Sequence, residues 1–331
     1  MLFVWLKFII CAAIIFLAGS QLTRYADIIA EKAGFTRAWI GLVLLATITS
    51  VPELANGISA VAAVGLPDLA VGDIFGACLY NMVTLAVLSL IWFAKKKESI
   101  FPRTSFGHVL SGSFAAVLIL IACAGMLLSR IFPGISLFGV GIYSVILFVV
   151  YLFAQRWIFV HEKGQGKGEV LDLVRDEEVT LGKAFFFFSV LSMFVVAAGI
   201  WLPFIGEEIS HVMGWGGTFV GSIFLGLATT LPELVVSISA LMLGSADMAV
   251  GNLFGSNLFN VSLLFVDDIF FTQGDLFAYV SLSNLFFGLI VIAAITVGVM
   301  SLVLKPKRII WSSVSLFSLY LIGVYLLFRL A

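Results

Sequence analysis

Ala46-Thr47-Ile48-Thr49-Ser50-Val51-Pro52-Glu53-Leu54 and Gly226-Leu227-Ala228-Thr229-Thr230-Leu231-Pro232-Glu233-Leu234 are two copies of one pattern. Each sets a hydroxyl pair, a proline and a carboxylate inside an otherwise apolar run. Hydrocarbon leaves such groups unsatisfied unless protein or a wet cavity meets them, so two matched insertions mark a function.

The runs on either side are those of a membrane protein. The chain has 331 residues, of which 62% are hydrophobic and 11% charged, against about 45–50% and 25% in an ordinary soluble domain. Mean hydropathy is +1.17. No segment remains for a sizeable soluble domain, and membrane lipid is the surrounding partner. A net charge of −1 gives no reason to expect nucleic acid. Cys11, Cys78 and Cys123 are odd in number and lie in apolar runs, which argues against a disulfide framework. With only His108, His161 and His211, no Cys/His metal spacing exists and no resident cofactor is expected.

Breaks at charged and turn-rich clusters predict an all-α polytopic membrane protein with ten transmembrane helices. The spans are 3–23, 38–64, 69–94, 106–129, 133–155, 184–206, 216–243, 248–270, 276–303 and 309–328. The start, Lys7 followed by an apolar run, has the look of a signal peptide. Because the repeat described next includes it, it is expected to stay as the first span. Arg156 to Lys183 is the one substantial polar linker, holding Gly164-Gln165-Gly166-Lys167-Gly168 and Asp176-Glu177-Glu178. It reads as a flexible or regulatory connector. Of the 18 basic residues, 15 fall in the odd-numbered loops, so the positive-inside rule puts both termini outside and linker 156–183 in the cytoplasm.

The two Pro-Glu copies belong to a longer repeat. Ala18 to Leu54 aligns with Ala198 to Leu234 at an offset of 180, pairing Leu22 with Leu202 and Gly41 with Gly221. A second block, Asp68 to Asn81, aligns with Asp247 to Asn260 at an offset of 179. Five spans per half is odd, so residues 1–155 and 184–331 are expected to form two inverted-topology five-helix repeats. Secondary transporters are commonly built this way, with substrate at the midplane between the halves.

The chemistry expected there follows from residue types. A carboxylate at midplane costs roughly 2.5–3.5 kcal/mol on insertion scales, and neither Pro-Glu span holds a basic residue to pair with Glu53 or Glu233. A mobile cation is the remaining partner. Thr49 and Ser50 stand four and three residues before Glu53, and Thr229 and Thr230 likewise before Glu233, on the carboxylate's own helical face. Pro52 and Pro232 lack an N–H, which frees the carbonyls of Ile48 and Ala228. On the next spans, Asp73, Ala77 and Asn81 share a stripe, as do Asn252, Ser256 and Asn260, while Gly72, Gly76, Gly251 and Gly255 permit close packing. Carboxylate, hydroxyl, amide and carbonyl oxygens suit a hard cation such as Ca²⁺. Each polar group also has a plainer reading: hydroxyls satisfying backbone carbonyls, Asn81 and Asn260 as interhelical hydrogen bonds, Asp73 favouring a helix dipole, and Asp68 and Asp247 as N-caps.

These motifs resemble the cation/calcium exchanger superfamily, whose two repeats carry a Gly-Thr-Ser-Leu-Pro-Glu type motif followed by a Gly-Asn-x-x-Gly-Ser-Asn type motif. The resemblance covers both motifs in both halves. It implies cation ligation by Glu53, Thr49, Ser50 and Asn81, and by Glu233, Thr229, Thr230, Ser256 and Asn260, with Ca²⁺ and Na⁺ as exchanged substrates. The chain departs from the pattern at Ala46 and Ala77, at Asn260 where some sodium-type members carry aspartate, and at Asp73 where asparagine is usual. Asp73 is therefore a further candidate ligand. The proton-coupled branch is less similar, since it has glutamate where Gly76 and Gly255 stand.

The expectation is an antiporter exchanging Ca²⁺ for Na⁺, and not an enzyme. The alternatives are H⁺- or K⁺-coupled exchange, a non-transporting membrane cation sensor, and an intramembrane aspartyl protease. The last needs a second aspartate facing Asp73, and the equivalent position holds Asn252.

Overall fold

Apolar runs this long have to satisfy their backbone internally, and the chain folds almost wholly into helices. The structure, a computed structural model, describes residues 1–32, 45–132, 134–137, 139–165, 179–306 and 310–330. α1 (Leu2–Lys32) precedes the short helices α2 (Leu45–Thr49) and α3 (Val51–Ser59), and α3 runs into a π-helical turn, Ala60–Val64. α4 (Pro67–Lys96) and α5 (Gly107–Ile131) follow, then a small antiparallel hairpin of β1 (Ser136–Leu137) and β2 (Val140–Gly141), then α6 (Ile142–Gln165). α7 (Leu181–Met213) leads to α8 (Gly217–Val220), a second π-helical turn (Gly221–Leu225), α9 (Gly226–Thr229) and α10 (Leu231–Met242). α11 (Ala246–Phe270), α12 (Leu276–Tyr279), α13 (Leu282–Leu304) and α14 (Ile310–Leu330) complete the chain.

Among the described residues, eight helices are long and apolar enough to cross a membrane, and Gly217–Thr229 with Leu231–Met242 makes a ninth candidate bent by 43°. The spans expected at 38–64 and 216–243 are broken rather than continuous. Pro52 and Pro232 stand at the second position of α3 and α10, where the ring allows a helix to start but not to continue from the turn before. Ser50 (φ −90°, ψ 12°) and Thr230 (φ −80°, ψ −3°) take up the break. The span expected from 133 begins at Ile142, because the hairpin occupies the preceding residues, and α6 runs on to Gln165, into the expected linker. Residues 33–44, linker residues 166–178 with Asp176-Glu177-Glu178, and the expected match of Gly41 to Gly221 lie outside the described residues.

α4 and α11 form the centre: 72% and 83% of their apolar windows are buried, against no more than 44% in any other span. α4 is set by close backbone approach to the broken span 217–242. A Cβ on Gly76 would stand 2.8 Å from the Ser222 carbonyl carbon, and one on Gly226 would stand 2.9 Å from the Ala77 nitrogen. Around this pair, α1 lies along α7, and α5 packs on α13. Gly19 of α1 leaves room for Pro232, whose Cγ a Cβ would meet at 2.6 Å, and Gly199 of α7 leaves room for Ala55 at 2.7 Å and the Pro52 carbonyl at 3.1 Å. On the outside, Phe3 and Leu17 of α1, Met193 and Phe194 of α7 and Leu321 of α14 are exposed, as lipid-facing side chains should be.

Asp68 and Asp247 do not cap their own helices, whose N-cap residues are Leu66 and Ser245. Asp68 Oδ1 accepts from Ser281 N (2.7 Å) and Asn284 Nδ2 (2.8 Å). Asp247 Oδ1 accepts from Ser105 N (2.6 Å) and lies 2.8 Å from His108 Nε2. Each carboxylate thus serves the entry to a neighbouring helix, α13 or α5, where free N–H groups await acceptors.

Candidate cation site

The two breaks put Glu53 and Glu233 in the first turns of α3 and α10. There the unpaired N–H groups and the helix dipole favour negative charge. Both side chains are 0% exposed. Neither oxygen of Glu53 has a hydrogen-bond partner, and Glu233 accepts at Oε1 from Ser50 Oγ at 3.3 Å, with the Thr49 hydroxyl also against it and Oε2 left without a partner. Among the described residues no basic side chain pairs with either carboxylate. Glu53, Glu233 and Asp73 lie within electrostatic reach of one another, with the Thr229 hydroxyl also against Glu53.

The hydroxyls do not serve the carboxylate of their own helix, as the i−3 and i−4 spacing predicts. They reach across. Ser50 donates to Glu233, Thr229 Oγ1 donates to Asp73 Oδ1 at 2.9 Å, and Thr49 Oγ1 lies 3.5 Å from Ser256 Oγ. The helical breaks at Ser50 and Thr230 explain this, since they turn the hydroxyl pair away from the carboxylate that follows. Thr230 is the exception: its hydroxyl donates back to Gly226 O at 2.6 Å.

Asp73 is fully buried, and its second oxygen accepts from Asn56 Nδ2 at 2.8 Å. Its place among the carboxylates argues against a role confined to the helix dipole. Asn81 Nδ2 donates to Asn257 Oδ1 at 2.9 Å and keeps its own carbonyl oxygen unpartnered. Asn260 is 0% exposed and neither of its polar atoms has a partner. Asn252, aligned with Asp73, turns instead to Ser237 Oγ at 3.0 Å.

Three contributors escape the sequence reading. Asn56 and Asn257 orient Asp73 and Asn81, and motif periodicity alone does not reveal them. Asp267 of α11 is 0% exposed, has no partner on either oxygen, and lies within electrostatic reach of Asp73 and Asp268. Its signal was present, because Asp267 stands seven residues beyond Asn260, two turns along the same stripe. Asp267 is also the second aspartate that the protease alternative requires. However, both Asp73 oxygens are engaged by Asn56 and Thr229, which leaves no carboxylate pair sharing a proton.

Among the described residues no three His, Cys, Asp or Glu side chains gather as a metal cluster. The oxygens at the centre belong to carboxylates, hydroxyls, amides and carbonyls. Such a set takes hard cations and offers nothing to softer metals.

Residues 3–157 and 183–329 match the profile of the family described as "Sodium/calcium exchanger protein". The sodium/calcium exchanger MaX1 of Methanosarcina acetivorans is 26% identical over 269 residues, covering 73% of this chain and 75% of that protein. Among solved structures, the H⁺/Ca²⁺ exchanger CAX superposes with a TM-score of 0.74 at 13% identity, over 99% of this chain and 85% of that one. The sodium-calcium exchanger NCX_Mj, soaked with Na⁺ and Sr²⁺, superposes with a TM-score of 0.57 at 17% identity, over 98% of both chains. The two structures share the fold of this chain while differing in the cation named beside calcium.

Proposed function

Since this chain belongs to the sodium/calcium exchanger protein family, whose members are transporters rather than enzymes, we propose that it exports Ca²⁺ in exchange for Na⁺ by alternating access. The substrate site is the one shared by α3, α4, α10 and α11. The observation that carries this reading is the pair of fully buried carboxylates, Glu53 and Glu233, with orphan oxygens and no basic partner among the described residues. Removing one partner of a buried charge pair costs about 3–5 kcal/mol, so a permanently unpaired pair is untenable. One Ca²⁺ or two monovalent cations neutralise it equally, and that competition couples the fluxes. Thr49, Ser50, Thr229, Thr230, Asn81, Ser256, Asn260 and Asp73 complete the oxygen set.

Two observations support sodium over protons as the coupling ion. One relative, MaX1, is named for sodium. Gly76 sits against the Ser222 backbone, which leaves no room for the glutamate that the proton-coupled pattern places there.

The molecule works as ten spans in two inverted five-helix halves, residues 1–155 and 184–331, with 156–183 as linker. Matched contacts support this plan: Gly19 against Pro232 with Gly199 against Pro52, and Asp68 at the entry to α13 with Asp247 at the entry to α5. Both termini face outside and the linker faces the cytoplasm.

The test is radiocalcium uptake into vesicles holding the purified protein, driven in turn by sodium, potassium and pH gradients. Sodium is expected to drive uptake, and Glu53→Gln or Glu233→Gln to abolish it. Uptake retained in both variants, or driven only by a pH gradient, overturns the assignment.

A further inference from the structure

The end of the molecule where α4 begins and α14 stops holds a pocket that the cation site does not use. It is a cavity of about 150 Å³ between the starts of α4, α8 and α13 and the last turn of α14. Asp68, Thr218, Ser281 and Ser283 give it polar walls, and Phe219 and Leu327 apolar ones. At roughly 30 Å³ for each water molecule, such a volume admits a short polar head and little more.

Its polar atoms are only partly engaged. Asp68 Oδ1 accepts from Ser281 N and Asn284 Nδ2, while the Thr218 and Ser281 hydroxyls lie 2.9 Å apart and Asn284 Nδ2 also donates to Thr218 Oγ1 at 3.0 Å. Among the described residues, Asp68 Oδ2 and the Ser283 hydroxyl enter no hydrogen bond, and no basic side chain pairs with Asp68. Its counterpart in the repeat differs. Asp247 has an imidazole nitrogen of His108 at 2.8 Å, whereas Asp68 faces an amide, hydroxyls and the open pocket. One carboxylate oxygen and adjoining hydroxyl oxygens are thus left to accept, beside a hydrophobic wall. A primary ammonium on a short carbon stem fits both: it brings one positive charge and three N–H donors, where a quaternary ammonium brings the charge with no donor.

The rim says where that ammonium comes from. Leu330 lines the pocket and is 47% exposed, and Tyr325 and Phe328 of the same helix are exposed as well, so the pocket sits beside a lipid-facing surface at a helix end. Arg329, next to Leu330, is exposed there and offers a positive charge outside the pocket. A negative group within and a positive one at the rim complement a zwitterion whose phosphate follows its ammonium by a short ethylene link. We propose that this pocket seats the ammonium of an ethanolamine phospholipid, with its phosphate toward Arg329 and its chains along α14. Thr218 leads through the π-helical turn to Thr229, so a seated headgroup steadies the first half of the broken span.

The test is the melting temperature of the purified full-length protein in detergent, titrated with dioleoyl phosphatidylethanolamine, its N,N-dimethyl derivative and dioleoyl phosphatidylcholine. Each added methyl removes an N–H and leaves the charge. The unmethylated lipid is expected to raise the melting temperature by roughly 2 °C or more above phosphatidylcholine, with the dimethyl lipid between them. Asp68→Asn keeps an oxygen for the entry to α13 but removes the charge, and should abolish the difference. Ser283→Leu fills the pocket and should do the same; it decides the matter if the Asp68 variant does not accumulate. Equal responses to the ethanolamine and choline lipids, or a preference that survives both variants, overturn the proposal. A matching rise from ethylammonium chloride in lipid-free detergent overturns the assignment to a lipid. Because the readout needs no transport, it stands or falls apart from the exchange proposed above.

Discussion

Thr229 and Thr230 are neighbours of one residue type, both buried, with opposite uses. Thr229 has Asp73 Oδ1 at 2.9 Å and the Leu225 carbonyl at 3.1 Å as alternative acceptors for one hydroxyl proton. Thr230 is committed to Gly226. A hydrogen bond to a charged group contributes about 1.5–3 kcal/mol, against about 1 kcal/mol for a neutral one. Each 1.4 kcal/mol is about tenfold in affinity. Thr229→Val should therefore raise the calcium concentration for half-maximal exchange roughly tenfold or more, and Thr230→Val less than about threefold. Equal effects of the two changes would show that the contact with Asp73 has no functional weight.

The broken helices carry the polar groups, and their breaks are legible from the sequence because proline's missing N–H is a local fact. Pro52 and Pro232 announce where α3 and α10 begin, and Glu53 and Glu233 follow in the first turn. Which helix each hydroxyl faces is not local, so the crossing of Ser50 to Glu233 and Thr229 to Asp73 escaped the helical-face rule. Asp267 escaped for another reason. It lies three residues before the end of α11, where an acid ordinarily reaches water, and the gap at Gly57 that receives it is far away in sequence. Gly72 and Gly76 were legible as packing positions, but their partner, the π-helical turn Gly221–Leu225, was not. That contact predicts a clear difference between two similar changes. Gly76→Ala forces a methyl into the Ser222 backbone and should cost about 1–3 kcal/mol, read as a lower melting temperature of the purified protein. Gly182→Ala, with open space around it, should leave the melting temperature unchanged or slightly raised.

Taken whole, the molecule is two similar halves that differ at the centre. Asp73 is held by Asn56 and Thr229, whereas its counterpart Asn252 is held by Ser237, so α4 carries an anion where α11 carries a neutral amide. The three cysteines are all buried, which makes the wild type a silent background for thiol labelling. With Ser136→Cys on the exposed hairpin, an impermeant maleimide added to intact cells should react. With Lys305→Cys at the exposed end of α13, it should react only after the membrane is opened. The reverse pattern would invert the orientation proposed from the basic loops.

The seating of α1 against α7 has a consequence for how the protein is made. Lys7 finds its counter-charge on Glu208 at 2.7 Å, Cys11 donates to the Ala198 carbonyl, and Gly19 receives Pro232. Every one of those partners is translated after α6, so at roughly 5–20 residues per second the first helix waits on the order of ten seconds for its mates. During that interval a lysine-bearing helix depends on the insertion machinery or on lipid headgroups for shelter. A ribosome that stops anywhere within it releases a chain whose earliest helix lacks its main partner, α7, which makes that helix a natural mark for quality-control proteases.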